Sequence, residues 1–359
     1  MHRNRLIKAF LLFGVALPLL GGCLHRKESI TISKDGSAVI KLDFDGDLDD
    51  LEFGDAMPSS QDGWEVTRSV KRHDDEDETH ILKATKTFAA GRPLPATFAS
   101  PTDPDRDLYL SFPTTYRTET REDGVYHYFR RVYRPRAWAI VQYWEEALIE
   151  DRHEKLAKKP MEDLTAGERQ TLFEAFAEVE ARKQLEHAKE AVQDVAPLIP
   201  SETQLQARRA LLDAYGSADL GAIAGRCIDT PDDESRGACF EEETAKLLSD
   251  AHDAYVEVLT RVAGLDPTQL ASWERAYQRS QLRYELTGML ANHQFEISVS
   301  MPGRIVAHNG DQVAENRPPV RVEWEFDGQA FRDRPYELVM ITKEPLPKNA
   351  EMGSSSHER

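Results

Sequence analysis

The stretch "FEISVSMPGRIVAHNG", residues 295–310, decides the fold. Phe295, Ile297, Val299 and Met301 alternate with polar residues, the period of a strand with one buried face. The segment before it, from Pro135 to Asn292, has a different period. There Leu172, Phe176 and Val179, then Ala188, Val192 and Val195, recur at helical spacing. Alternation also marks the chain from Glu28 to about Arg134. Strand-like ends around a helical middle predict an α+β protein: a discontinuous, mainly antiparallel β-sheet domain with a large inserted α-helical block.

Turn residues supply the punctuation. SITISK and SAVIKLDF flank Asp35-Gly36, WEVTRSVKRH and THILKATKTFA flank the acidic DDEDE, and YRTETRE and VYHYFRRVY flank Asp123-Gly124. After the helical block, RIVAH leads to Asn309-Gly310, VRVEWEF follows, and YELVMIT comes past Asp327-Gly328. Asn-Gly and Asp-Gly between alternating runs are the strongest short-range hairpin signals. In the block, Thr165 with Glu168 and Ser201 with Gln204 read as capping boxes, and Asp266 caps a helix that opens on Pro267. Helices are expected over 136–158, 165–195, 202–215, 239–263 and 267–291. The β domain is assigned to 28–135 plus 293–345, the insertion to 136–292, and 346–359 to a disordered tail.

Residues 1–22 have the parts of an export signal: Arg3, Arg5 and Lys8, an apolar run from Ala9 to Leu20, and small residues before Cys23. The run is shorter than the roughly 20 residues that cross a bilayer. Leu20-Gly21-Gly22-Cys23 resembles the lipobox of bacterial lipoproteins. That resemblance implies a diacylglycerol on the Cys23 thiol, cleavage before Cys23, and a further acyl chain such as palmitate on the new amino terminus. It also implies a protein held on the membrane of the cell envelope by residues 23–27 as a lipidated tether. Leu24, where aspartate would retain the protein, implies the outer membrane facing the periplasm.

Charge narrows the partners. The chain carries a formal net charge of −18, and −21 once Arg3, Arg5 and Lys8 are removed. With a mean hydropathy of −0.56, this describes an acidic, water-exposed body that repels nucleic acid and does not dock flat on anionic lipid by net charge. Export places Cys227 and Cys239 in an oxidising compartment, and they flank the polar stretch IDTPDDESRGA. We expect them to form a disulfide contributing about 3 kcal/mol.

No motif names a reaction, and neither a cofactor nor a metal site is expected. DFDGDLDDLE, residues 43–52, has clustered carboxylates, but from Asp43 the sixth position is Leu48 and the twelfth Gly54, so it fails as a calcium loop. His73 and His80 bracket DDEDE, which reads as a solvated hairpin tip. Glu150 and His153 match half of a di-iron motif that has no second copy. There is no G-x-S-x-G, G-x-G-x-x-G or P-loop. The richest recognition chemistry is VYHYFRRVYRPRAW, residues 125–138. Arg130, Arg131, Arg134 and Arg136 beside aromatics form a candidate site for an anionic group, set against internal pairing with carboxylates. Residues 301–326, MPGRIVAHNG and then VRVEWEF, are similar to the carboxy-terminal β portion of LppM-like envelope lipoproteins, for some of which envelope-lipid binding has been proposed; no functional residue carries over. Trp324 reads as a core anchor.

Three functions follow as expectations. The first is a non-catalytic envelope lipoprotein binding a protein partner or an envelope component. The second is a lipid or amphiphile carrier with a pocket between sheet and helices, and the third a hydrolase without a local signature.

Overall fold

The computed structural model describes residues 24–52, 54–72, 78–136, 153, 155–156, 158–159, 163–198, 200–215, 227, 233–314 and 319–346. The export signal, Cys23, His73 with the acidic tip, Glu150, most of the first expected helix and the tail beyond Leu346 lie outside the described residues. The protein is α+β, with a helical block between two groups of strands. It divides into two compact units, a β unit of Gly22–Arg136 with Leu286–Arg359 and a helical unit of Ala137–Glu285.

In the β unit the first strand group comprises β1 (His25–Ile32), β2 (Ala38–Gly46), the short helix α1 (Leu48–Glu52), β3 (Glu65–Arg72), β4 (Glu78–Phe88), β5 (Thr114–Arg121) and β6 (Gly124–Tyr133). The second comprises β7 (Gln294–Met301), β8 (Arg304–His308), β9 (Gln312–Ala314), β10 (Val320–Asp327) and β11 (Tyr336–Glu344). A seven-stranded sheet runs β3-β4-β2-β1-β7-β10-β9 and a four-stranded sheet runs β5-β6-β11-β8. The expected hairpins of the first group form. Gly36 takes φ 82, its N–H donates to the Ser33 carbonyl at 3.0 Å, and β1 pairs antiparallel with β2; an L side chain rarely adopts that φ. β3 pairs with β4 and β5 with β6 in the same sense.

The second group departs from the hairpin expectation. Pro302-Gly303 carries the chain from β7 in the large sheet to β8 in the small one, Asn309-Gly310 carries it back to β9, and Asp327-Gly328 sends it from β10 to β11. Each turn crosses between sheets. Asn309 serves both: its Oδ1 accepts from the Trp324 indole at 3.0 Å and from the Val339 N–H at 2.8 Å, while its Nδ2 donates to the Glu337 carbonyl at 2.7 Å. Gly328 lies where a Cβ would stand 1.8 Å from the Leu290 carbonyl oxygen, so close backbone approach rather than a hairpin requires the glycine. The two strand groups meet once in each sheet: in the large one at the parallel pair β1–β7, with His25 opposite Gln294 through Thr31 opposite Ser300, and in the small one at the antiparallel pair β6–β11.

The sheets face one another as a sandwich. Ile30 and Ile32, Ala38 to Phe44 on alternate positions, Phe295 to Met301, and Val320 to Phe326 point inward from the large sheet. Phe129, Tyr133, Leu338 and Met340 meet them from the small one. Tyr133 is the hub, with ring centroids 5.8 Å from Phe295, 5.3 Å from Phe326 and 5.7 Å from Phe331. Each such ring contributes about 1.5–3 kcal/mol by leaving water. Trp324 is buried among them, as expected of a core anchor. The stretch assigned to a tether needs correction: from His25 on it is strand β1, and Leu24 is 0% exposed in the sandwich core.

The helical unit holds α2 (Ala166–Asp194), α3 (Ser201–Tyr215), α4 (Asp233–Arg261) and most of α5 (Pro267–Ala291). Thr165 and Glu168 make the expected reciprocal capping box. Asp266 accepts from the N–H groups of Thr268 and Gln269 at 2.8 and 2.9 Å. Ser201 is the first residue of its helix rather than the cap. α4 begins at Asp233, ahead of the expected 239, and so absorbs part of the stretch read as a polar turn. Its one glycine, Gly237, costs a helix only about 1 kcal/mol. Cys227 and Cys239 are joined in a disulfide, with Cα atoms 5.6 Å apart. Val192, Leu211, Tyr255, Leu259 and Trp273 form the core of this unit.

Candidate functional site

Strand alternation in β6 separates the candidate arginines. His127, Phe129, Arg131 and Tyr133 face into the sandwich and are buried, while Arg130 faces out. Arg131 is committed internally. Its guanidinium donates to both Glu28 carboxylate oxygens at 2.5 and 2.9 Å and to the Thr114 hydroxyl at 2.8 Å. The Phe112 ring lies 4.9 Å from its Cζ. Arg130 forks Glu337 at 2.6 and 3.2 Å on the outer face. For these two, pairing with carboxylates is what the structure shows.

Arg134 and Arg136 lie beyond the strand, where the chain leaves the sheet, and they share a cleft. It has a volume of about 430 Å³ and is lined by Thr97, Arg106, Asp107, Tyr109, Ser111, Arg134 and Arg136. Arg136 is held by the Leu108 carbonyl, to which Nη1 donates at 2.5 Å, and by its own N–H on the Phe331 carbonyl at 3.0 Å. Arg106 and Arg134 are exposed, and among the described residues neither makes an ion pair. Arg106 escaped the sequence reading because it lies in a loop distant in sequence from 130–136. The site is electrostatically mixed: burial, then Asp103, Asp105 and Asp55, push the Tyr109 phenol up.

A second set of charges is buried in the β unit, one of them, Arg26, at a strand position where alternation predicts an apolar residue. Arg26 on β1 donates to Asp55 at 3.0 Å, between the rings of Phe44 and Phe295, and Asp55 also accepts from the Leu110 N–H at 2.7 Å. Asp50 faces His293 across 3.8 Å. Burial raises the Asp50 carboxyl to about 6, with Arg26 opposing, and burial holds His293 well below the usual imidazole range. The cavity beside Arg26 and Glu28 measures about 10 Å³. That is room for about one water and too small for an acyl chain at that point.

A convergent Ser, His and Glu occurs in the helical unit. Ser280 on α5 donates to Glu190 on α2, and its oxygen lies 2.8 Å from His187 Nδ1. The order is that of a packing seam: in a hydrolase the imidazole sits between carboxylate and hydroxyl, whereas here the hydroxyl sits in the middle. Ser280 is also 2% exposed. Gln184 continues the seam, accepting from Tyr277 at 2.5 Å and Gln281 at 2.7 Å.

Another cleft of the β unit, about 950 Å³, is lined by Ile32, Lys34, Pro302, Arg304, Lys343 and Glu344 among others. Behind it Tyr116 and His127 share a hydrogen bond of 2.7 Å, and His127 Nε2 lies 3.4 Å from Glu344. Burial and then Glu344 push the Tyr116 phenol up to about 12, which leaves it no nucleophile at neutral pH. In the acidic stretch 43–52, Asp43 pairs with Lys83 at 2.7 Å and Asp50 turns inward. Among the described residues no three His, Cys, Asp or Glu side chains group as metal ligands, and no helix is long and apolar enough to cross a membrane.

No family model matches the chain, and no curated protein does. One solved structure shows a weak resemblance. The chain is similar to the folded domain of the Mycobacterium tuberculosis LppM protein, determined by NMR, with a TM-score of 0.26 and 11% identity over 92% of this chain and 95% of that one.

Proposed function

We propose that the protein is a non-catalytic lipoprotein of the bacterial envelope, anchored through Cys23, which binds an anionic group of an envelope component at the Arg106–Arg134–Arg136 cleft. One observation carries the binding site: two exposed guanidiniums, of Arg106 and Arg134, share a cleft and form no ion pair among the described residues. Such groups fork a phosphate or carboxylate without first breaking an internal pair. The anchor rests on the lipobox resemblance.

Two experiments test the reading. Cys23→Ser releases the chain into the soluble fraction; retention on membranes after detergent-free fractionation would refute the anchor. With that soluble chain, glycerol phosphate is the probe, followed by chemical-shift changes at 106–111 and 131–136. Saturable binding that falls about tenfold in Arg134→Glu supports the site, whereas an equal response in Arg117→Glu, on the outer face of β5, sinks it.

A further inference from the structure

Arg26 has more buried donors than acceptors around it. It is 2% exposed, its Cζ lies 5.4 and 5.6 Å from the ring centroids of Phe44 and Phe295, and its Nη1 donates to Asp55 at 3.0 Å. Its Nε and Nη2 are also buried, and they meet no acceptor among the described residues. These two atoms form one edge of the guanidinium, a pair of parallel donors. A buried charged donor without an acceptor costs more than an ordinary hydrogen bond contributes, so native structures give such groups a protein or water partner.

Strand β1 sets a possible acceptor beside that edge. Arg26 and Glu28 are consecutive inward positions of β1, about 7 Å apart along it, and both line the cavity of about 10 Å³. The remaining walls are apolar side chains and Tyr133, each less than a tenth exposed. Glu28 accepts two bonds from Arg131. An ionised carboxylate has about four lone-pair sites, so Glu28 keeps acceptor capacity.

Size and polarity decide what fits. The cavity has room for about one water, and its occupant must accept from Arg26 and donate to Glu28. A cation cannot accept from a guanidinium, and a halide cannot donate to a carboxylate; water does both. We infer that the sandwich core binds one ordered water, which accepts from the Nε–Nη2 edge of Arg26 and donates to Glu28. The water joins two ion pairs into one chain, Asp55–Arg26–water–Glu28–Arg131–Thr114, running from the segment after α1 to β5 of the small sheet. This gives the charged residue at a core position of β1 a role: it holds solvent where an apolar side chain would only fill space. The site is independent of Cys23 and of the Arg106–Arg134–Arg136 cleft.

A crystal structure of the full chain that shows ordered solvent is the test. The expected result is one solvent peak without anomalous signal, about 2.7–3.2 Å from the Arg26 edge and from a Glu28 oxygen. In solution, the arginine-labelled chain should show cross-relaxation between water and the Arg26 Nε–H, with NOE and ROE of opposite sign, the mark of a held water. Arg26→Met with Asp55→Asn removes the edge and its countercharge together, and it should lose the peak while Arg131 still forks Glu28. Should that variant fail to fold, the wild-type crystal and the cross-relaxation decide alone. A wild-type cavity without the peak, a peak with the anomalous signal of a halide, absent cross-relaxation, or a peak that survives in the double variant overturns the inference.

Discussion

Arg131 and Glu28, 103 residues apart, form a two-pronged ion pair inside the sandwich and tie the small sheet to the large one. Arg131 is fully buried and its guanidinium is held above its already high ordinary pKa by Glu28 and Tyr133, which outweigh the burial that opposes them. Such a pair is costly to desolvate and much costlier to break than to replace.

Arg131→Met alone should destabilise the β unit by about 3–5 kcal/mol, because it strands a buried carboxylate. Glu28→Leu together with Arg131→Met should recover most of that loss. Urea unfolding of the three variants measures both effects. A double variant no more stable than the single one would show that the pair supplies more than charge balance.

Asp50 provides a pH signature. Its folded pKa of about 6 lies above the ordinary 3.8, so the folded state holds a proton that the unfolded state releases. The stability this provides is present at low pH and is lost as pH rises from about 4 through 6. Asp50→Asn should match wild type near pH 3.5 and exceed it by about 2 kcal/mol above pH 7. An advantage independent of pH would point to repacking instead.

His187 has the opposite sign. Burial, then Lys183 and Arg283, lower its pKa from 6.5 to about 4, so the unfolded state takes up a proton first. Stability contributed by the neutral ring is present above pH 6.5 and falls as pH drops toward 4, by about 3 kcal/mol. His187→Gln should flatten that acid limb in thermal unfolding of the helical unit. Ser280→Ala should cost about 1–2 kcal/mol by stranding buried partners, and it should leave esterase background unchanged.

Reducing Cys227–Cys239 should lower stability by about 3 kcal/mol, the chain-entropy value for a bridge with a sequence separation of 12. Unfolding with and without dithiothreitol checks it. The transition that moves should be the helical one, since both cysteines belong to that unit.

Much of the architecture is legible in single stretches. Alternation in VYHYFRRVY correctly grouped His127, Phe129, Arg131 and Tyr133 on one face. Asp35-Gly36 and Asp123-Gly124 joined the strands they separate, and Thr165 capped its helix. The candidate site was legible only in part. Arg134 and Arg136 share a cleft, but Arg106 enters it from a distant loop, and Arg130 and Arg131 are committed to Glu337 and Glu28, partners 207 and 103 residues away.

The sequence by itself determined what is local: periods of two and 3.6, caps, tight turns and the pairing of two cysteines. These depend on backbone geometry within a few residues. Only the tertiary structure decided that β1 lies beside β7 across the inserted helices, that Asn309 and Gly328 mark crossings between sheets, and that Leu24 is buried in the sandwich core. Those outcomes depend on which distant surfaces are complementary. A two-residue turn signal is the same whether the next strand joins the same sheet or the facing one, and the core packing makes that choice.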